Sequence, residues 1–196
     1  MASVFGSKNL KAIAVRENLK PQIANPEKFR EVILKSSQFI RSSPISSTIL
    51  PKYGTVGFLV KALGKGYDTR KNYQTNIFPD FSKLSGETIV KEYLDQEKTR
   101  ESICWGCPLA CKKYAKVDKT LFSTEGDGPE YMGVWGFGYN LNNDNLPSVL
   151  RAYHLCNELG LDIVGTGHVI GTFIELVEKG KIQKEKLEGL KVSWGD

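Results

Sequence analysis

Three of the four cysteines in this chain fall within one short run, Cys104-Trp105-Gly106-Cys107-Pro108-Leu109-Ala110-Cys111, spaced C-x2-C-x3-C. Spacings of two and three residues let one loop and the first turn of a helix aim several thiolates at one point. An iron–sulfur cluster is held in this way, because its irons prefer soft sulfur ligands. Pro108 fixes φ and removes an N–H, which stiffens the loop. A 4Fe–4S cluster normally takes four thiolates, so a fourth must come from elsewhere. Two other readings stay open. A zinc site usually has two separated C-x2-C pairs or added histidines at fixed offsets, and the only histidines, His154 and His168, do not form that pattern. Buried structural thiols or disulfides are the third reading. A redox C-x-x-C belongs beside a βαβ pattern, which is not evident here.

Cys156 is the remaining cysteine. It lies in residues 145–160, where Leu146, Val149, Leu150, Tyr153 and Cys156 recur on one helical stripe. A free Cys on such a stripe reads as a small core hydrophobe rather than a ligand. With 196 residues, 40% hydrophobic and 25% charged, the chain suits one medium globular domain or two small ones. The net charge of +5 is too mild to argue for nucleic acid, and no basic run is interleaved with aromatics. No apolar run of membrane-spanning length and no signal-peptide layout occurs, so neither a span nor secretion is indicated. Cysteines clustered in this way do not resemble a disulfide framework, and a reducing, cytoplasmic setting fits them better.

Hydrophobic periodicity predicts a mainly α fold with a few short strands. Residues 10–15 read as a short buried strand. Pro26 at N1 after Asn25 opens a helix with Phe29, Val32, Ile33 and Ile40 on one face, fading at Ser42-Ser43-Pro44. A weak helix is expected over 46–53. Residues 54–86 are punctuated by Gly54, Gly57, Gly64 and Gly66, followed by Thr69-Arg70-Lys71-Asn72-Tyr73, and their later part reads as a long structured loop. No P-loop or GxGxxG pattern is met there. Ser85 caps a helix expected to run to about Arg100. After the cysteines, 112–119 and 120–122 are expected to form a hairpin, followed by a turn at Gly126-Asp127-Gly128-Pro129-Glu130-Tyr131. Strong helices are expected over 145–160, ended by Gly160, and over 166–179.

Four separated segments, in order, then match one family. They are Gly6-Ser7-Lys8-Asn9-Leu10-Lys11-Ala12-Ile13, the cysteine run, Gly128-Pro129-Glu130-Tyr131, and Asn157-Glu158-Leu159-Gly160-Leu161-Asp162 followed by Gly165-Thr166-Gly167. Trp194-Gly195-Asp196 matches the segment after the family's helix pair. On these residues the chain resembles the aldehyde ferredoxin oxidoreductases, the tungsten (sometimes molybdenum) bis-pterin enzymes of anaerobes. The resemblance implies that residues 1–20 end an N-terminal pterin-binding domain. Residues 21–196 would then be a helical cluster- and pterin-binding domain, truncated at its C-terminus. It implies oxidation of an aldehyde to a carboxylate, with electrons passing through a 4Fe–4S cluster to ferredoxin. The expected partners are the remainder of the enzyme or a complementing subunit, ferredoxin, the aldehyde and, in a homodimer, a second copy. An inactive or accessory iron–sulfur electron-transfer fragment, or a zinc-stabilised helical domain, is the alternative.

The same resemblance assigns residues. Cys104, Cys107 and Cys111 match cluster ligands; the family's fourth lies in a C-terminal part, outside this sequence. Asn157, Gly160, Leu161 and Asp162 match a pterin loop of the form D-x-x-G-L-D, with Asn157 in place of the first acid. Asn still accepts through its carbonyl oxygen but lacks the charge that strengthens the bond. The bare residues also read as a helix C-cap followed by a polar loop. Glu130 falls in the family's P-E-Y-E segment, near the metal, where a Glu assists proton transfer. Met132 stands where the second Glu would be, which implies a different substrate or a lost activity if that position is the catalytic one. Ser7 and Lys8 match a segment close to the pterin phosphates, and an ordinary turn is the alternative.

Overall fold

The computed structural model describes residues 2–16, 18–59, 69–76, 82–183 and 187–196. Gly64 and Gly66 lie outside them. The fold is mainly α, as expected, with two short antiparallel strands as the named sheet.

Helix α1 spans Ala2–Ser7 and α2 spans Pro26–Ser42. Asn25 caps α2, its Oδ1 accepting from Lys28 N at 3.0 Å. No residue of α2 is buried, and Phe29, Val32, Ile33 and Phe39 are exposed on it. Residues 10–16 form no strand, contrary to expectation, and Ile13 and Val15 stand 67% and 86% exposed. A strand needs a partner ladder, and none is available to this segment among the described residues.

The weak helix expected over 46–53 is a π turn, Ile45–Ile49, running into α3, Leu50–Tyr53. A 3₁₀ turn, Gly54–Phe58, follows at the start of the glycine-punctuated stretch. The helix expected from Ser85 to about Arg100 is two helices, α4 at Gly86–Glu92 and α5 at Gln96–Glu101. The break occurs because the chain turns at Tyr93 and Leu94 bridges to Ala115 in the sheet. Lys116 N donates to Tyr93 O at 2.8 Å and Asp95 N to Tyr114 O at 2.9 Å. Asp95 then caps α5 by accepting from Lys98 N.

Strands β1, Tyr114–Val117, and β2, Thr124–Asp127, pair with Tyr114 opposite Asp127 and Val117 opposite Thr124. The hairpin exists, but its second strand lies beyond the expected 120–122. Thr120 and Ser123 bond across that segment and turn it into the connecting loop, with Lys119 at φ 59°. Gly126 and Asp127, expected in a turn, belong to β2.

Helix α6, Tyr131–Val134, runs into a π turn, Trp135–Tyr139, whose five residues are all buried. Val134, Trp135, Phe137 and Tyr139 join Val56, Leu59, Leu84, Val149 and Leu150 in the core. Helix α7 is Leu146–Leu159, with Asn145 as N-cap and Gly160 at φ 67° beyond its end. Gly suits this left-handed position because it has no Cβ to clash. Helix α8 is Ile163–Glu178, three residues longer at its start than the expected 166–179 because Asp162 caps it. Among the described residues, no single helix is long and apolar enough to cross a membrane. Only the bent pair α7 and α8, turned by 120°, reaches that apolar length together.

Candidate redox and cofactor site

The cysteine run is the loop between α5 and β1. Cys107 N donates to Cys104 O at 3.0 Å, closing a β-turn whose third residue, Gly106, has φ 69°. That position requires a positive φ, which explains glycine between the two cysteines. Cys104 is exposed, Cys107 and Cys111 are half-buried, and all are free thiols. Among the described residues, no group of three or more His, Cys, Asp or Glu side chains could hold a single metal ion. A four-iron cube is a larger object that holds its ligand sulfurs apart. Three accessible, unpaired thiols on one loop suit its preference for thiolate donors.

The loop is anchored beneath. Lys113 is 3% exposed, and its Nζ donates to the carbonyls of Ala110 and Lys112 at 3.0 Å and of Leu50 at 3.3 Å. Burial lowers its affinity for the proton, opposed by the nearby Cys111 and Glu130. A Cβ on Gly54 would stand 2.8 Å from Cys111 O, so the 54–58 turn sits hard against the cysteine loop. Lys113 O accepts from Gly128 N at 2.8 Å, tying the loop to the segment that carries Glu130.

Glu130 stands at the N-cap position of α6 in extended conformation, with no side-chain capping bond. Its Oε2 accepts from Thr55 Oγ1, and Thr55 Oγ1 in turn accepts from Tyr131 N at 2.9 Å. Glu130 lines a cavity of about 490 Å³ together with Thr55, Phe58, Tyr131 and Met132. It also lines a second, of about 300 Å³, with Met132, Tyr153, Leu161 and Asp162. Glu130 and two residues of the expected pterin loop thus share one cavity wall.

Asn157 lies on the last turn of α7 and lines a third cavity, about 340 Å³, with Lys112, Asp127, Tyr153 and His154. Tyr153 faces both this cavity and the one lined by Asp162. Burial, then the Glu130 charge, raises the proton affinity of its phenol. Gly160 closes α7, with Leu161 N donating to Cys156 O at 2.8 Å. Asp162 Oδ2 accepts from Gly165 N at 2.5 Å, so this carboxylate is a helix cap as well as a cavity wall. Both Asn157 and Asp162 remain acceptors at cavity surfaces, which fits the amino and ring N–H donors of a pterin.

Ser7 and Lys8 are exposed at the end of α1, where Ser7 Oγ donates to Val4 O at 2.8 Å, and neither lines the cavities above. Cys156 is 4% exposed and belongs to the core. Arg70 and Asn72 sit in a strap over α8, with Asn72 Nδ2 donating to Glu175 Oε2 at 2.6 Å. Sequence reasoning missed Thr55, Lys113 and Tyr153. None has a motif of its own, although Tyr153 lay on the recognised α7 stripe.

Comparison with known proteins gives one family. The profile described as aldehyde ferredoxin oxidoreductase, domains 2 and 3, matches residues 31–196. A tungsten-containing aldehyde ferredoxin oxidoreductase of Pyrococcus furiosus is 38% identical across 100% of this chain, which spans 31% of that protein. A protein of the same description from Thermococcus kodakarensis is 37% identical, again over 100% of this chain and 31% of its own length. An aliphatic sulfonate oxidoreductase, WOR-like subunit, of Pyrococcus furiosus is 28% identical over 99% of this chain and 30% of its own. The chain therefore spans under a third of the length of the curated relatives it matches.

Proposed function

We propose that this chain, which belongs to the aldehyde ferredoxin oxidoreductase family, supplies the electron-transfer loop and part of the cofactor cradle of an enzyme oxidising aldehydes to carboxylates. The observation that carries the reading is the coupling of three expected groups around one core. The cysteine loop bonds through Lys113 O to Gly128, two residues before Glu130, and Glu130 shares a cavity with Leu161 and Asp162.

In this reading Cys104, Cys107 and Cys111 hold three corners of a 4Fe–4S cluster, and the fourth ligand comes from outside the chain. Cys156 stays in the core. Asn157, Gly160, Leu161 and Asp162 receive a pterin, while Ser7 and Lys8 approach its phosphate from residues 1–20, the end of the pterin-binding domain. Residues 21–196 form the helical domain. When bound, the tungsten or molybdenum pterin supplies two-electron oxidation chemistry, and the cluster carries single electrons onward to ferredoxin.

The chain's own residues then handle protons and substrate. An aldehyde and water become a carboxylate with release of protons and two electrons, so a positioned proton acceptor is needed. Glu130 is that acceptor, beside Thr55 in a cavity otherwise walled by Phe58, Tyr131 and Met132. Those apolar walls suit an apolar aldehyde substituent. Met132 also favours a second reading, in which the substrate departs from the family's usual one. It lies on both cavities that Glu130 lines.

The test is aldehyde-dependent reduction of a viologen dye by the anaerobically purified holoenzyme. Glu130→Gln should lower kcat by about a hundredfold or more. Dye reduction by no aldehyde, with the cluster intact, would instead favour the accessory electron-transfer reading.

A further inference from the structure

We infer that Thr55 is a positioning residue, which fixes the Glu130 carboxylate and holds it in register with the cysteine loop. The inference rests on Glu130 as proton acceptor. A threonine hydroxyl has one proton to give. Because Thr55 Oγ1 accepts the Tyr131 N–H at 2.9 Å, its own proton is directed at Glu130 Oε2. The backbone of the Glu130 turn and its side chain are thus gripped by one atom from 75 residues earlier in the chain.

Thr55 is itself immobilised. Val56 beside it is fully buried in the core, and Gly54 on its other side abuts Cys111 O. Movement of the cysteine loop therefore reaches the carboxylate through two residues. Thr55 holds one carboxylate oxygen, Oε2, at the wall of the cavity that both residues line. Preorganised geometry of this kind is what a proton acceptor needs, since small displacements of a catalytic group are costly in rate.

Packing and hydrogen bonding make opposite predictions here. Valine copies the shape of threonine without its hydroxyl, whereas serine keeps the hydroxyl and loses a methyl. The holoenzyme carrying Thr55→Val should lose about tenfold in kcat with KM changed by less than about twofold. Thr55→Ser should recover most of the rate, and iron content should not change in either. Adding Thr55→Val to Glu130→Gln should cost little more than Glu130→Gln alone, because the two act as one unit. Should Thr55→Val fail to fold, Thr55→Ser against Thr55→Ala gives the same contrast, with Ser the faster by about tenfold. A Val variant at the wild-type rate with a slower Ser variant would overturn the inference and leave Thr55 as packing. An unaltered kcat in Glu130→Gln would instead overturn the underlying assignment of Glu130.

Discussion

The ring of Tyr153 lies directly on Gly133, so closely that a Cβ at Gly133 would stand 2.2 Å from Cδ2 of the tyrosine. Tyr153 is 6% exposed and faces both the Asn157 and the Asp162 cavities. The missing side chain at 133 is therefore what lets α7 and the Glu130 turn meet. Gly133→Ala forces that contact apart and should destabilise the fold by about 1–3 kcal/mol. Urea unfolding measures it, and a wild-type midpoint would show that the ring does not pack there.

Asn72 holds the 69–76 strap to α8 through Glu175 at 2.6 Å, and its backbone N–H donates to Asn140 Oδ1 at 3.2 Å. It sits at φ 52°, a conformation asparagine tolerates better than most residues. Asn72→Asp keeps that backbone preference but places two carboxylates face to face. The strap should then open, seen as faster amide exchange over 69–76 with α7 unaffected. Unchanged exchange would mean the Glu175 contact does not hold the strap.

His154 is 3% exposed, and burial holds its imidazole below the ordinary histidine range. The unfolded chain takes up a proton near the ordinary value of about 6.5, whereas the folded chain resists it to lower pH. Its contribution to stability is full above that value and is lost as pH falls towards the folded one. The difference in unfolding free energy between pH 7.5 and 5.5 should therefore be smaller in His154→Gln than in wild type. Equal differences would show that His154 does not titrate this way. The buffer values of about 7.5 and 5.5 simply bracket the ordinary range.

Gly160 sits at φ 67° with its N–H donating to Asn157 O at 3.3 Å. Gly160→Ala should cost about 1 kcal/mol, chiefly from the left-handed conformation. Gly160→Asn should cost less, because Asn visits that region more readily. Thermal unfolding of the two variants gives the comparison, and equal losses would point to side-chain crowding instead of backbone strain.

The strongly periodic elements were legible in the chain. Asn25-Pro26, Asn145 and Gly160 announce the ends of α2 and α7, because capping chemistry is local. The break at residues 93–95 was not, since it depends on pairing with Tyr114 and Lys116 some twenty residues away. The buried turn Trp135–Tyr139 was missed for a similar reason. Its glycines allow close packing, as where Gly138 meets Leu84. The cysteine run was plain from spacing alone. Thr55 was invisible, because its role comes from a contact with Glu130 that no sequence window contains.

Anaerobic preparation followed by iron, sulfide and zinc analysis, with an electron paramagnetic resonance spectrum of the reduced protein, tests the central claim most directly. The holoenzyme should hold about four iron and four sulfide per chain with a cluster signal. Each of Cys104→Ser, Cys107→Ser and Cys111→Ser should lose or alter it, and Cys156→Ala should leave it unchanged. Zinc in place of iron, or a cluster lost on changing Cys156 and kept on changing the loop cysteines, would contradict the account.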